Sequence, residues 1–211
     1  IHEATTGRPG PVLLDIPINI QKQDIEDVSK LIGYDKKVKV DYNKIEINKQ
    51  IDTYIEDLKN SERPCLMIGG GVRLSGAIDE LLELGRELKI PMFPTWNALD
   101  IVCSDYEYYG GRIGTYGGAG RNFGIQNSDL LIILGSRLNG TLIGSNAKLF
   151  APKAKKIQID IDPAELNEEN NLQIDLKINC DVKEFITTLN NKQIKWQLNQ
   201  SWLDKIVNLK K

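Results

Sequence analysis

The stretch SDLLIILGSRLN, residues 128–139, decides the fold. Its apolar run, residues 130–134, is unbroken and too short for a helix of ordinary length. Such a run, closed by Gly135, predicts a strand that is covered on both faces, as in a parallel sheet with helices above and below. Gly135 and Arg137 then fall just past the carboxyl end of this strand, where open α/β sheets place their ligand crevice.

Four more strands are predicted around this one. They are short apolar segments at residues 64–68, 92–96, 157–161 and 176–180. Helical patterns alternate with them: residues 45–58 place apolar side chains at three- and four-residue steps, and a second amphipathic segment follows Ser75, a plausible N-cap. This alternation predicts a three-layer, doubly wound, mostly parallel α/β sheet of five to six strands, Rossmann-like in class, with right-handed crossovers.

The pattern divides the chain into four parts. They are residues 1–21, a polar linker at residues 22–44, the alternating domain at residues 45–190, and a terminal segment at residues 191–211. Within the first part, residues 12–17 predict a short strand that ends at a proline. The last part predicts a helix whose tryptophan and leucine side chains need a surface to lie on.

Composition excludes several classes of protein. The chain has 211 residues, a net charge of −2 and no long basic block, which argues against nucleic acid as a partner. No apolar run reaches membrane-spanning length, so no membrane span is predicted. The three cysteines form no Cys-x-x-Cys pair, which favours a reducing cytoplasm and predicts neither disulfides nor a zinc site. Since His2 is the only histidine, the commonest general base is missing from the body of the chain.

The triple glycine at residues 69–71 is the first ligand candidate. Glycine lets a backbone approach a pyrophosphate and present its N–H groups to it. The stretch is not the dinucleotide fingerprint, because that would need another glycine at position 74, where Leu74 stands. A phosphate site and a tight strand-to-helix turn are equally good interpretations of these glycines.

Charged residues at the other strand ends add further candidates. Arg137 is placed to pair with a phosphate or to stack on a flat ring, and we favour that role over an ordinary surface arginine. Asp160 could hold ribose hydroxyls, whereas Asp162, before Pro163, is better suited to start a turn. Asp181 is interpreted equally well as a helix cap or a ligand contact. Together the strand ends favour a nucleotide-like ligand, and no Walker motif, metal cluster or catalytic triad accompanies them.

Five segments in matching order resemble the thiamine-diphosphate-dependent enzymes, and most of all the acetolactate synthase (acetohydroxyacid synthase) group. They are GRPGPVLLDIP at residues 7–17, RPCLMIGGGV at 63–72, QNSDLLIILGSRL at 126–138, APKAKKIQIDIDPAEL at 151–166 and CDVKEFI at 180–186. The resemblance covers roughly residues 1–190, and its strength lies in the order of the segments rather than in any one of them.

The resemblance implies three domains in series. Residues 1–21 would end a pyrimidine-binding domain, residues 45–190 would be the central domain, and residues 191–211 would lead to a diphosphate-binding domain. The activating glutamate and the Gly-Asp-Gly motif for diphosphate and Mg²⁺ belong to the flanking domains, so we expect this chain to be the middle of a larger enzyme and inactive alone. The parent enzyme would use thiamine diphosphate and Mg²⁺, act on a 2-oxo acid and form a homo-oligomer.

In acetolactate synthases the central domain binds FAD, which serves structure rather than redox turnover. The positions of this chain that match the FAD-binding residues are Gly70, Gly71, Thr95, Gly114, Thr115, Gly135, Arg137, Asp160, Ile161 and Asp181. The chain departs from the synthases at Tyr116, where they carry histidine. It also departs at Asn139, Gly140 and Thr141, where their Gly-x-Arg-Phe-Asp-Asp-Arg motif has two acidic residues and a second arginine. Relatives in the family use this domain for ADP or for nothing, so FAD, ADP and an empty cleft all stay open.

Two other interpretations compete with this one. The first is a free-standing nucleotide-binding module, or an NAD-dependent deacylase-like domain with the same sheet topology. A deacylase needs a histidine base in its cleft, which His2 is poorly placed to supply. The second is a purely structural spacer with an empty cleft.

Overall fold

The computed structural model describes residues 1–33, 42–167 and 172–209, which belong to two compact units, Ile1–Asp41 and Tyr42–Lys211. The first unit holds the short helices α1 (His2–Thr5) and α2 (Ile18–Gln21) and a 3₁₀ turn at Val28–Lys30. The prediction of a strand at residues 12–17 is wrong, since the structure has no strand there. The described part of this unit offers no second strand to pair with it, and Leu13 is 93% exposed.

The second unit is built on a five-stranded sheet in which every pair of neighbours is parallel. The strands are β1 (Pro64–Ile68), β2 (Met92–Pro94), β3 (Leu130–Leu134), β4 (Lys155–Asp160) and β5 (Leu176–Asn179). Their spatial order is β2-β1-β3-β4-β5, which confirms the predicted doubly wound α/β class. The chain reverses its direction of travel across the sheet between β1 and β3, which is where such sheets place their ligand crevice.

Eight helices surround the sheet among the described residues. They are α3 (Lys44–Lys59), α4 (Gly71–Leu74), α5 (Ile78–Leu88), α6 (Ala119–Asn127), α7 (Gly140–Ile143), α8 (Pro163–Asn167), α9 (Val182–Asn190) and α10 (Gln200–Leu209), with 3₁₀ turns at Trp96–Ala98 and Ala147–Leu149. None of the helices in the described ranges is long and apolar enough to cross a membrane.

The apolar run of β3 explains the three layers. All five of its side chains are buried, and alternate ones enter different cores because successive side chains of a strand point to opposite faces. Ile132 belongs to the core under α3, α5 and α9, whereas Ile133 belongs to the core under α6 and α10. A continuous apolar run is therefore what a strand between two helical layers requires.

The terminal helix α10 packs on the same face of the sheet as α6. Trp202, Leu203 and Ile206 are buried in the core beneath α6, and the Trp202 indole donates a hydrogen bond to the Pro64 carbonyl at 3.3 Å. The predicted helix is thus a layer of this unit rather than a free connection.

The turn after β1 differs from the prediction. Ser75 does not cap the following helix; it ends α4, and its hydroxyl donates to the Val72 carbonyl at 3.0 Å. The next helix, α5, begins after Ala77 instead. The sequence pattern missed α4 because a single helical turn is too short to show periodicity.

Candidate functional site

The carboxyl ends of β1 and β3 pack backbone against backbone. The Gly69 amide donates to the Leu134 carbonyl at 2.8 Å, and the Gly71 amide donates to the Gly135 carbonyl at 3.0 Å. A side chain on Gly71 would place its Cβ 2.7 Å from the Gly135 Cα. These glycines therefore allow two strand ends to touch at the point where the sheet order reverses.

This packing bears on the predicted phosphate site at the triple glycine. The amides of Gly69 and Gly71 are already bonded to the neighbouring strand end, so they serve the turn. Gly70 instead faces the next strand end, because a Cβ on it would lie 3.2 Å from the Asn97 carbonyl. A role of Gly70 or Gly71 in binding a phosphate stays a proposal.

Arg137 lies on the rim and has a carboxylate partner that the sequence did not reveal. Its Nε donates to Glu165 Oε1 at 2.7 Å, from a residue on α8. The Arg137 side chain is 62% exposed and that of Glu165 only 9%, so the ion pair fixes the arginine while leaving most of it open to solvent. The cation is positioned but not buried.

The predicted residues at the ends of β4 and β5 are held by local hydrogen bonds. Asp160 is buried and its Oδ1 accepts from the Asp162 amide at 3.0 Å. The side-chain amide of Asn179 donates to the carbonyls of Asp160 and Ile161, each at 3.0 Å. Asp181 caps α9, since its Oδ1 accepts from the Lys183 amide at 2.7 Å.

Tyr42 joins this part of the rim and was missed in the sequence. Burial raises the pKa of Tyr42 to about 12, and the nearby Asp181 and Cys180 add to the effect. Neither a motif nor a periodic pattern marks this residue, which precedes α3 by two positions.

Thr95 begins the turn that follows β2, which ends at Pro94, earlier than predicted. Its side chain is buried, and its amide donates to the Ile68 carbonyl at 2.9 Å. Since Thr95 extends the pairing of β2 with β1, it holds the residues that follow it at the carboxyl rim.

The predicted residues of the glycine loop are fastened to two helices. Gly114 has a φ of +94°, and its amide and carbonyl bond to the side chain of Asn122 on α6 at 3.0 and 3.1 Å. The Thr115 amide and hydroxyl both donate to the Thr141 carbonyl on α7, each at 3.0 Å. A half-open cavity of about 230 Å³ lies between the loop and these helices, lined by Ile113, Asn122, Ile125, Leu142 and Phe150 among others.

An aromatic cluster lies on the same edge and was not singled out from the sequence. The rings of Trp96 and Tyr116 lie 5.8 Å apart between centroids, at an interplanar angle of 56°. The Arg112 guanidinium carbon lies 5.6 Å from the centre of the Trp96 ring. The available signal was a tryptophan as the last residue of a predicted strand, together with a glycine loop that carries a tyrosine.

The ten predicted residues therefore all lie at the carboxyl edge of the sheet or in the loop beside it. The structure brings Gly71 into contact with Gly135, and it ties Thr115 to α7. In the described ranges no group of three or more His, Cys, Asp or Glu side chains could hold a metal ion. What the edge offers is an exposed cation, flat rings and close backbone approach.

Comparison with known proteins identifies the fold's family. The family model for the thiamine pyrophosphate enzyme central domain matches residues 51–189. The chain belongs to the thiamine pyrophosphate enzyme family. The match begins within α3 and ends in the last turn of α9, so it covers every strand of the sheet.

Several relatives of this central domain are acetolactate synthases by name. The probable acetolactate synthase large subunit of Methanocaldococcus jannaschii is 36% identical over 99% of this chain. The isozyme 2 large subunit of Escherichia coli is 36% identical over 78%, and the large subunit of Corynebacterium glutamicum is 34% identical over 89%. The chain spans 35%, 29% and 29% of these relatives, about a third of their length.

Proposed function

We propose that this chain is the central part of a thiamine-diphosphate-dependent carboligase or decarboxylase that acts on 2-oxo acids in the manner of an acetolactate synthase. The observation that carries the proposal is the extent of the likeness, which reaches 99% of the chain in two relatives named as probable acetolactate synthase large subunits. The complete enzyme takes thiamine diphosphate and Mg²⁺ in its flanking domains and acts as a cytoplasmic homo-oligomer.

In this proposal the chain binds and supports rather than reacts. The resemblance assigns the activating glutamate and the Gly-Asp-Gly motif to the flanking domains. Two of the carboxylates on the rim bond to backbone amides: Asp160 accepts from an amide of its turn, and Asp181 caps a helix.

The rim of the sheet is proposed to bind FAD or ADP. Its residues suit such a ligand in two respects: Arg137 is a fixed, exposed cation for a diphosphate, and Trp96 is an exposed flat ring. Asp160 and Asp181 lie at the ends of the last two strands on the same edge, where we expect the ribose of such a ligand. Bound FAD would supply structural support to the domain, as the resemblance implies.

One observation favours a second candidate, a spacer with an empty cleft. The Gly71 amide, which a diphosphate would use, is already bonded to Gly135, and Arg137 already has Glu165 as its partner. Titration calorimetry of the chain with FAD and with ADP separates the two candidates. Binding of either nucleotide supports the ligand site, whereas binding of neither supports the spacer.

The proposed reaction is tested on the complete protein and on this chain in parallel. With thiamine diphosphate, Mg²⁺ and pyruvate, the complete protein should form 2-acetolactate or release CO₂, and the chain alone should do neither. A reaction without thiamine diphosphate is the control. The family function is rejected if the complete protein consumes none of a panel of 2-oxo acids, and turnover by the chain alone rejects the purely supporting role.

A further inference from the structure

The turn between β3 and α7 holds the only Asn-Gly pair of the sequence, Asn139-Gly140. Asparagine is among the thermally labile residues of proteins. Both residues of this pair are exposed, and a Cβ added to Gly140 would meet nothing within 4 Å. The proposed function assigns no role to either residue, and the pair lies open to solvent.

The backbone amide of Gly140 is a free nucleophile. It makes no hydrogen bond within the described residues, because it belongs to the first turn of α7, where helix amides lack an intrahelical acceptor. Glycine has no side chain to hinder the approach of this nitrogen to another atom, and its backbone adopts more conformations than that of any other residue. The nitrogen is therefore exposed, unpaired and unhindered, as attack on a neighbouring carbonyl requires.

The side-chain amide of Asn139 is oriented for such an attack. Its Oδ1 accepts a hydrogen bond from the Thr141 hydroxyl at 2.6 Å. This donor lies at the oxygen on which negative charge develops when a nucleophile adds to Cγ, and a donor at that place lowers the barrier to addition. The Asn139 side chain makes no capping bond to α7, so Thr141 is the residue that positions it.

We propose that Asn139 deamidates spontaneously through a cyclic imide, which makes this turn a self-modifying site. The Gly140 nitrogen attacks Asn139 Cγ and forms an N–Cγ bond. The Cγ–Nδ2 bond then breaks, and Nδ2 leaves as ammonia with the proton that the Gly140 nitrogen gives up. Water opens the imide at either of its two carbonyls and leaves aspartate or isoaspartate at position 139. The sequence of steps consumes one water, releases one ammonia and needs no oxidant, reductant or second protein.

Ring closure has to loosen the start of α7. The Asn139 carbonyl accepts from the amides of Leu142 and Ile143 at 2.9 and 3.1 Å. Rotation about the ψ of Asn139, which is 165°, brings the Gly140 nitrogen to Cγ and breaks these two bonds. Because α7 is a single turn of four residues, this opening is local and far easier than the opening of a longer helix.

Two Asn-Ser pairs, Asn60-Ser61 and Asn127-Ser128, lack the features of this turn. The amides of Ser61 and Ser128 donate to backbone carbonyls at 3.1 and 3.4 Å, so neither nitrogen is free. Ser128 is also fully buried. Asn60 and Asn127 should therefore persist while Asn139 is converted.

The product changes the charge of the carboxyl rim. Position 139 follows Arg137 by two residues, and the new carboxylate lowers the net charge of −2 by one unit. The synthase motif that this segment resembles has an acidic residue at the same position. Deamidation therefore gives the aged protein an acid that the newly made protein lacks.

Peptide mapping of the full chain by mass spectrometry, with samples taken over time at mildly alkaline pH, tests the proposal. Trypsin cleaves after Arg137 and Lys148, so one peptide contains Asn139 together with Asn146, an internal reference that precedes Ala147. Aspartate and isoaspartate should accumulate at Asn139 and not at Asn146. Asn139→Asp, made by mutagenesis, marks the position of the charged product in ion-exchange chromatography.

Two variants separate the contributions of the nucleophile and the donor. Gly140→Ala adds a Cβ where there is room, so the chain should fold, and the rate should fall at least about fivefold because the backbone is less free. Thr141→Val keeps the carbonyl that Thr115 uses and removes the hydroxyl, so the rate should fall about two- to tenfold, as expected for one hydrogen bond. In urea-unfolded protein Thr141→Val and the parent should react equally.

The results support or overturn this assignment without reference to nucleotide binding. Conversion at Asn139 that slows in Gly140→Ala supports the imide. An Asn139 that stays intact in the chain while a synthetic peptide of residues 138–148 is converted overturns the site. A product without isoaspartate also overturns it, because direct hydrolysis by water gives aspartate alone. Folded Thr141→Val that reacts as fast as the parent overturns the role of the hydroxyl.

Discussion

Gly71 and Gly135 meet at the switch point of the sheet: the Gly71 amide donates to the Gly135 carbonyl at 3.0 Å, and Gly135 has a φ of +54°. A Cβ on Gly135 would lie 2.8 Å from the Gly71 Cα, closer than a side chain tolerates. The contact holds the carboxyl ends of β1 and β3 together, so the shape of the rim depends on the absence of two side chains.

The first prediction follows from that contact. Gly135→Ala should lower the free energy of unfolding by about 2 to 4 kcal/mol. The added Cβ would sit on a residue with a strained positive φ and would clash with the Gly71 backbone, which cannot rotate away as a side chain could. Urea denaturation followed by circular dichroism measures it. Gly140→Ala is the matched control, since nothing lies within 4 Å of its added Cβ, and it should change stability by less than about 1 kcal/mol. Equal stability of the two variants would reject the contact.

A second prediction compares two tryptophans. Trp202→Ala should destabilise the chain by about 3 to 5 kcal/mol, because Trp202 is 4% exposed in the core under α6 and its indole bonds to Pro64. Trp96→Ala should cost less than about 1 kcal/mol, since that ring is 61% exposed. The same denaturation experiment measures both. If Trp202→Ala unfolds like the parent, α10 is not a layer of the unit.

The third prediction concerns alkaline pH. Burial raises the pKa of the Cys180 thiol to about 12, with Glu184 and Asp181 adding to the effect. In the unfolded chain the thiol ionises near its ordinary value of about 8.5, whereas in the folded chain it stays protonated. The contribution of this thiol to the free energy of unfolding is therefore fully present below about pH 8. It is lost as the pH rises toward about 12, at up to about 1.4 kcal/mol per pH unit.

Urea denaturation at a series of pH values checks this sign. The free energy of unfolding of the parent should fall above about pH 9, and in Cys180→Ala it should fall less steeply. Cys103→Ala, which removes an exposed thiol, is the matched control. A Cys180→Ala variant with the slope of the parent would show that burial of this thiol does not contribute to the alkaline loss.

The sequence predicts the sheet well because a strand that is covered on both faces carries a continuous run of apolar residues. The apolar run of β3 requires that both faces of the strand be covered. The same holds for β1, whose five residues are also all buried. The strand at residues 12–17 failed for the opposite reason: an apolar stretch predicts extended backbone, but only a neighbouring strand supplies its hydrogen bonds.

The rim was predicted in position but not in detail. Strand ends converge by topology, so Arg137 could be placed from the order of the strands alone. Its partner Glu165 lies on another element, and an ion pair between separate elements leaves no periodic signal in the sequence. Trp96 was missed because the search for ligand residues followed glycines and charges, whereas an aromatic residue within a predicted strand, here residues 92–96, is interpreted first as core.

The fourth prediction concerns the cation of the proposed site. Arg137→Ala should weaken ADP binding about tenfold to a hundredfold, because a charged contact to phosphate is worth about 1.5 to 3 kcal/mol. Arg137→Lys should recover only part of the loss, since an ammonium cannot reproduce the planar fork. Calorimetric titration measures all three proteins. ADP affinity that is indifferent to Arg137 rejects its place in the site.

The last prediction uses the partner of that arginine and has the opposite sign. Glu165 competes with a phosphate for Arg137, so Glu165→Gln, which removes the charge and keeps an acceptor, should tighten ADP binding. Partly exposed ion pairs contribute about 0.2 to 1 kcal/mol, which corresponds to a gain of up to about fivefold. Asp57→Asn is the matched control, because it breaks another 2.7 Å ion pair, with Lys155 at the start of β4, away from the rim. A gain in Glu165→Gln alone supports competition for Arg137; weaker binding in Glu165→Gln would mean that the carboxylate holds the arginine in its binding position and does not compete with the ligand.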